Sequence, residues 1–355
     1  MQDKTMRKTK VLIASLVLVC GTALAMVAPD RWTASDHADT TQAALAQAES
    51  PPHVPPVPLL WKVSDRNNAV YLLGSIHLLK EGDYPLSADI DAAFDDAARI
   101  VFEVSPEDLG SPDASTSFSA AANLPEGHTL SGLISPRLRE KLDLLLARQG
   151  GSLDQVNRYS PWFVNLSLML GLSHSLGFSP ELGVDQHLMQ RAEEAGKPTA
   201  GLETIDDQLR ALANSPIAEQ VLGLEDFLDR PQEMPGELAD LHQAWRAGDV
   251  PGLEAIALTE MMVKTPRTYQ MVNVDRNRAW LPLLRKMLDG RGRDNVLVVV
   301  GAMHLLGDDG LLALLGQSGY MVERICSACG TADQALPERP TLEDDLEPVS
   351  LPIAS

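Results

Sequence analysis

The sequence predicts an α/β fold: a central mixed sheet built from N- and C-terminal strand segments, with a large helical insertion between them. Three observations lead there. Short apolar runs that read as strands cluster early (LLWKV, AVYLLGS, RIVFEV) and late (NVLVVVG, YMVERI) in the central region. A helix-periodic segment separates AVYLLGS from RIVFEV, and residues 135–263 read mostly as helices divided by Pro and Gly. Strands at both ends flanking a helical middle imply one sheet with an insertion.

The elements follow in order. LLWKV, a polar turn over Ser64 to Asn68, and AVYLLGS make a hairpin. A helix over Ser87 to Ala98 places Ile90, Ala93, Phe94 and Ala97 on one face, and RIVFEV completes a strand–helix–strand unit. The helical middle contains one short extended piece, PTAGLE. A long helix from Thr268 to Leu288 precedes NVLVVVG, the most strand-like run in the chain. A helix over Gly310 to Gln317 and the strand YMVERI close the fold. No internal repeat of solenoid period is present.

Composition bounds the partners. The 355 residues carry a net charge of −20, with 45% hydrophobic and 22% charged residues. No Lys/Arg cluster is available to hold phosphates, so nucleic acid is excluded as a partner and a cation or a neutral or basic substrate fits better. Lys4, Arg7, Lys8 and Lys10 precede the uncharged apolar run Val11 to Ala28, which contains Ala23-Leu24-Ala25. This reads as a secretory signal over residues 1–25, hence export to the periplasm or beyond the cell. The run is also just long enough to remain as an uncleaved inner-membrane anchor, which would be the chain's one membrane contact. Cys20 is a poor lipid acceptor because bulky Val19 precedes it. Residues 26–58, ending in PPHVPPVP, read as a disordered linker, residues 59–329 as the folded domain, and residues 330–355 as an acidic disordered tail.

Most of the eight histidines sit in linker, loop or helical contexts. His77 and His304 differ, because each ends a Gly-x-x-His directly after an apolar strand: Gly74 to His77 in YLLGSIHLL, and Gly301 to His304 in VVVGAMHLL. The third such motif, Gly171 to His174, lies inside a helical run and reads as structural. A strand followed by a glycine that permits close backbone approach, then a histidine, puts the imidazole at the carboxyl edge of the sheet, where open α/β folds bind ligands. Glu103 ends RIVFEV and would reach the same edge. Two histidines and a carboxylate make a plausible set for Mn, Fe or Co, and for Zn in a tetrahedral arrangement. Alternatively, Glu103 caps the next loop or pairs with an Arg. Asp275-Arg276-Asn277 reads either as a surface ion cluster or as a site in which Arg276 orients a carbonyl and stabilises an oxyanion. Cys326-Ser-Ala-Cys329 lacks a second pair, which makes zinc a weak reading and a local disulfide the better one in an exported chain. No Gly-x-Ser-x-Gly elbow, His-Glu-x-x-His, phosphate-binding loop or dinucleotide fingerprint occurs.

Five separated segments, LLGSIHLLKEGDYPL, FEV, LGVDQHLMQRAEEAGKPTAGLETIDDQ, DRNRAWLPLL and VLVVVGAMHLLGDDGLLALLGQSGYMVERI, together resemble the TraB/GumN family, which includes the Tiki proteins. The resemblance covers residues 59 to 326 in the correct order. Tiki proteins are metal-dependent proteases that require Mn or Co and use two Gly-x-x-His motifs with a glutamate. By that resemblance Gly74, His77, Glu103, Gly301 and His304 form the site, with Arg276 as a secondary candidate. The wider superfamily extends to erythromycin esterases and haem-associated lipoproteins, so a shared fold does not dictate a shared reaction. One departure is Met303, where relatives often carry a small residue before the histidine.

Together these features predict a metal-dependent hydrolase of peptide or related amide bonds acting outside the cytoplasm. His77, Glu103 and His304 would hold the metal, or Glu103 would act as general base, and Arg276 would meet the developing negative charge. Two alternatives stand beside this reading: a non-catalytic envelope protein that sequesters a peptide or takes part in polysaccharide assembly, and a metal-free hydrolase of the erythromycin-esterase type.

Overall fold

The computed structural model describes residues 54–290 and 292–329. The signal segment, Cys20, residues 26–53 of the linker and the tail from 330 lie outside the described residues. Strands β1 (Leu60–Ser64) and β2 (Ala69–Ser75) form the antiparallel hairpin, with Leu60 opposite Leu73 and Ser64 opposite Ala69. With β3 (Arg99–Val104), β4 (Thr199–Glu203), β5 (Val296–Gly301) and β6 (Met321–Arg324) they make one six-stranded mixed sheet in the order β4-β3-β5-β2-β1-β6. The four strands β4, β3, β5 and β2 run parallel, while β1 is antiparallel to both β2 and β6.

Strand character follows burial. Every residue of β2 and β5 is buried, as continuous Val/Leu runs covered on both faces require. The edge strands are short and polar: β6 alternates between half-buried and exposed, and β4 exposes Thr199 to Gly201. The extended piece PTAGLE thus supplies a true sheet edge, and Val104 of β3 lies opposite Glu203.

The crossover from β2 to β3 is helix α1 (Ala88–Asp96), whose Ser87 cap accepts the Asp89 N–H and which buries Ile90, Ala93 and Phe94. Of the helices between β3 and β5, α2 (Pro161–Ser175), α3 (Val184–Glu194), α4 (Ile205–Ala213) and α5 (Met234–Arg246) carry or cover the candidate histidines and their partners. His174 ends α2 in an exposed position. Thr204 and Asp207 form a reciprocal capping box that starts α4 directly after β4. The helix expected over 268–288 begins at Pro266 and is not uniform. A π-helical turn, Gln270–Val274, interrupts it before α6 (Asp275–Leu288). Helix α7 (Leu311–Gln317) leads into β6, beyond which Cys326 and Cys329 are joined in a disulfide with Cα atoms 5.4 Å apart.

Two glycines allow the close approaches around β2. A Cβ on Gly74 would lie 3.2 Å from the Ala302 Cα, so the two Gly-x-x-His segments touch through backbone. A Cβ on Gly183 would lie 2.6 Å from the His77 carbonyl oxygen, a contact no other residue permits. Next to it the Val184 N–H donates to the Ile76 carbonyl (3.1 Å), which docks the start of α3 on the loop carrying His77.

The same loop is anchored at Asp83. This buried carboxylate accepts from the Lys80 N–H (2.8 Å), from His242 Nε2 (2.8 Å) and from Arg246 on α5. Arg246 also donates to the Val54 carbonyl (2.9 Å) and accepts from the Val57 N–H (2.8 Å), which fixes residues 54–58 against the domain. Burial alone would raise the Asp83 pKa. The bonds from His242, the Lys80 amide and Arg246 more than offset it and bring the pKa down to about 2.

Asp83→Asn is therefore expected to destabilise the domain by about 2 kcal/mol, because Arg246 and His242 lose their charged partner. A carboxylate whose pKa is depressed on folding contributes stability that is complete above its ordinary pKa and lost as pH falls toward the folded value. Urea denaturation between neutral pH and about pH 3 checks both points. Wild type should weaken as pH falls through the carboxylate range, and the gap to Asp83→Asn should narrow.

Candidate active site

The four parallel strands deliver one ionisable side chain each to the carboxyl edge. Glu203 ends β4, Glu103 lies one residue from the end of β3, His304 follows β5 in a short 3-10 turn, and His77 follows β2. Register makes them neighbours, since Val104 pairs with Glu203, Phe102 with Val299, and Ser75 with Gly301. All four side chains are buried under α3, α4 and α6.

Glu103 is fully bonded. Its Oε1 accepts the Gly301 N–H (2.7 Å), and its Oε2 accepts from Gln208 Nε2 (3.0 Å) on α4 and Arg276 Nη2 (2.7 Å) on α6. Burial opposes ionisation, yet the Arg276 charge and the Gly301 amide hold its carboxyl below the usual carboxylate range. Gly301 thus serves the motif through its amide as well as its size.

Arg276 does not belong to a surface ion cluster, since it is only 5% exposed. Its neighbour Asp275 stays on the surface and accepts from Gln270 (2.6 Å). Arg276 commits all five N–H groups. Nε donates to Glu203 (3.0 Å), Nη1 to the Val272 carbonyl (3.0 Å) and His304 Nε2 (3.1 Å), and Nη2 to Glu103 (2.7 Å) and Glu203 (2.6 Å). Val272 belongs to the π-helical turn, whose altered ladder accompanies its carbonyl's bond to the arginine side chain. The guanidinium also lies 4.7 Å from the Trp280 ring. The two carboxylates keep its pKa above the ordinary arginine value. Glu203 carries the strain of the cluster: burial and the nearby Glu103 charge push it up against the pull of Arg276 and the Trp280 N–H.

The two histidines differ in kind. His304 Nε2 accepts from Arg276, so Nδ1 carries the proton and donates to Asn277 Oδ1 (2.7 Å). Burial and the adjacent guanidinium lower its pKa to about 3, which keeps it neutral. His77 instead places Nδ1 2.8 Å from Asp185 Oδ1, at the start of α3. An ionised Asp can only accept there, so His77 holds its proton on Nδ1 and its lone pair on Nε2.

The structure thus brings together His77, Glu103, Arg276 and His304, with Gly74 and Gly301 as packing and amide positions. Four further partners, Asp185, Glu203, Gln208 and Asn277, are absent from the set expected on sequence. Glu203 has the same signal as Glu103, an acid closing a short strand, and Asn277 follows Arg276 directly. Asp185 and Gln208 have no local signal.

The expected metal set can be tested on its donors. Both His304 nitrogens and both Glu103 oxygens are committed within the protein, and a guanidinium lies against both residues. Among the described residues, no group of three or more His, Cys, Asp or Glu is arranged to hold a metal ion. His77, Glu103 and His304 as arranged do not fit a divalent ion. A cavity of about 420 Å³ reaches the cluster from outside, lined by Glu203, Arg276 and Trp280 at its inner end and by Asp207, Arg210 and Asp275 among others.

The model of the TraB/PrgY/gumN family matches residues 59–324. The chain is 27% identical over 249 residues to the uncharacterized protein YbaP of Escherichia coli strain K12, covering 70% of this chain and 88% of YbaP. It has the same identity and coverage with YbaP of Shigella flexneri. It is 22% identical over 202 residues to an uncharacterized protein of Treponema pallidum strain Nichols, covering 56% of this chain and 60% of the relative. No solved structure matches the chain.

The charge arrangement makes a stability prediction. Arg276→Met leaves two buried carboxylates facing one another and should cost about 3–5 kcal/mol. Arg276→Met with Glu203→Gln should recover part of that loss, because one charge is removed. Equal stability of the two variants in urea denaturation would show that Glu203 contributes no charge to the cluster.

Proposed function

The chain belongs to the TraB/PrgY/gumN family, and we propose that it is an exported hydrolase of peptide or related amide bonds in which His77 is the general base. The observation that carries this reading is the buried His77–Asp185 pair at the end of β2. A histidine oriented by a carboxylate through Nδ1 has its basic nitrogen fixed in direction, the arrangement that proton abstraction from water needs. His304 is unsuited to that task because its low pKa makes it a weak base and Arg276 covers its Nε2.

In the proposed reaction, His77 Nε2 takes a proton from water as the hydroxyl adds to the carbonyl carbon. It then returns that proton to the leaving nitrogen as the C–N bond breaks. Arg276 has no uncommitted N–H in the resting state, so it stabilises the oxyanion by its charge, or directly when substrate displaces one of its partners. Because His77, Glu103 and His304 are all buried, turnover requires the helices over the site to part from the strand ends. Export is supported by the basic and apolar N-terminal pattern in the sequence alone.

The test is hydrolysis of a peptide and p-nitrophenyl ester panel by the purified full chain. His77→Ala should lower kcat/KM by about 10²–10⁴ and Asp185→Asn by at least about 10², with circular dichroism unchanged. Retained turnover in folded His77→Ala rejects the assignment. Loss of activity on chelation, restored by Mn or Co, would select the metal-dependent reading implied by the resemblance. Absence of turnover in wild type, with a cellular role that survives His77→Ala, would select the binding protein. For export, cell fractionation with N-terminal sequencing should find the protein in the periplasm, beginning at Met26.

A further inference from the structure

We propose that Arg276 is the built-in cation of this site. Its guanidinium stands where a divalent ion would bridge Glu103, Glu203 and His304, and those three side chains become a metal site only when the guanidinium is removed. The test reads ion binding, so the proposal stands or fails apart from the hydrolase reading.

The geometry is that of a ligand shell closed on an organic cation. Nη2 of Arg276 lies 2.7 Å from Glu103 Oε2 and 2.6 Å from Glu203 Oε1, and Nη1 lies 3.1 Å from His304 Nε2. Two carboxylates and an imidazole are a donor set suited to Mn, Fe, Co or Zn. Each donor already points at the shared cation. The imidazole presents its lone pair because Asn277 Oδ1 accepts a hydrogen bond from the N–H of the other nitrogen, as an outer partner does for a metal-bound histidine. Carboxylate–zinc distances are about 2.0–2.2 Å, so the two oxygens would need to close by roughly 0.5 Å on an ion replacing Nη2, and His304, which meets Nη1 instead, would have to swing further to join them. Val272 and Trp280 fix the guanidinium from the other side.

A divalent ion and this guanidinium cannot share the space, because like charges a few ångströms apart in a buried site repel strongly. Arginine keeps its charge at any physiological pH, so the site is charged without depending on metal supply. Glu203 gives the cluster its second carboxylate and faces the cavity through which an ion would arrive.

The experiment uses the purified full chain with Mn²⁺ as the only probe, followed by electron paramagnetic resonance and thermal denaturation. Wild type should bind no stoichiometric Mn²⁺ at the strand ends, and its Tm should not move on dialysis against EDTA. Arg276→Met should bind one Mn²⁺ and gain about 5 °C or more in Tm at saturating ion. The added Glu103→Gln substitution should abolish both. If Arg276→Met does not fold even when refolded with Mn²⁺, Arg276→Gln, which keeps an amide donor toward Glu103, takes its place. Stoichiometric Mn²⁺ binding by wild type that Glu103→Gln abolishes overturns the proposal. So does a wild-type Tm that falls after EDTA, or a folded Arg276 variant that binds none.

Discussion

The ion cluster of Arg276 with Glu103 and Glu203 is the interaction on which the carboxyl edge of the sheet depends. Two carboxylates beneath a helical layer would be strongly unfavourable as isolated charges, and their mutual repulsion would add to the desolvation. One guanidinium meets both, and its planar fork does so with bonds of 2.6 to 2.7 Å from a single nitrogen. The rest of its donors tie it to the π-helical turn and to His304, so the cluster joins β3, β4, α6 and the loop after β5 in one unit. A lysine could supply the charge but not the five directed N–H groups.

The sheet topology is what brings these partners within reach. A strand from the C-terminal part of the chain, β5, is wedged between β2 and β3 from the N-terminal part. The Gly301 N–H can reach Glu103 because β5 and β3 run parallel in direct register. Because β5 also pairs with β2, the two Gly-x-x-His segments meet at Gly74 and Ala302. Burial of β2 and β5 on both faces then leaves their strand ends as the place where polar groups emerge, and the helical insertion closes over them.

Much of this could be read from residue order. The hairpin, the β2–α1–β3 unit, strand β5 and the edge position of His77, Glu103 and His304 all follow from short-range apolar patterning and from glycine placement. What escaped was long-range. PTAGLE is short, with its first residues exposed, so its pattern could not show that it pairs with β3 and brings Glu203 to the cluster. The sequence left Arg276 open between a surface ion cluster and a site position, because charged residues usually face water and only the tertiary partners Glu103 and Glu203 decide otherwise. The π-helical turn has no periodic signature of its own. Asp185 finds His77 only because Gly183 lets α3 press on the loop after β2, a contact between residues 108 apart in sequence.

Two copies of one short motif carry the same tautomer but meet opposite partners. At His304 the neighbours are a guanidinium on Nε2 and an amide oxygen on Nδ1, both in full burial, so adding a proton would place a second cation against the first. At His77 the neighbour is a carboxylate, which accepts from the Nδ1–H and orients the ring. One imidazole is thus locked against a guanidinium and the other is oriented by a carboxylate, the separation of environments on which the proposed general-base role of His77 rests. The difference arises outside the motif, in Asp185 on α3 and in Arg276 and Asn277 on α6. The helical insertion therefore does more than roof the site: its side chains give two equivalent histidines different partners.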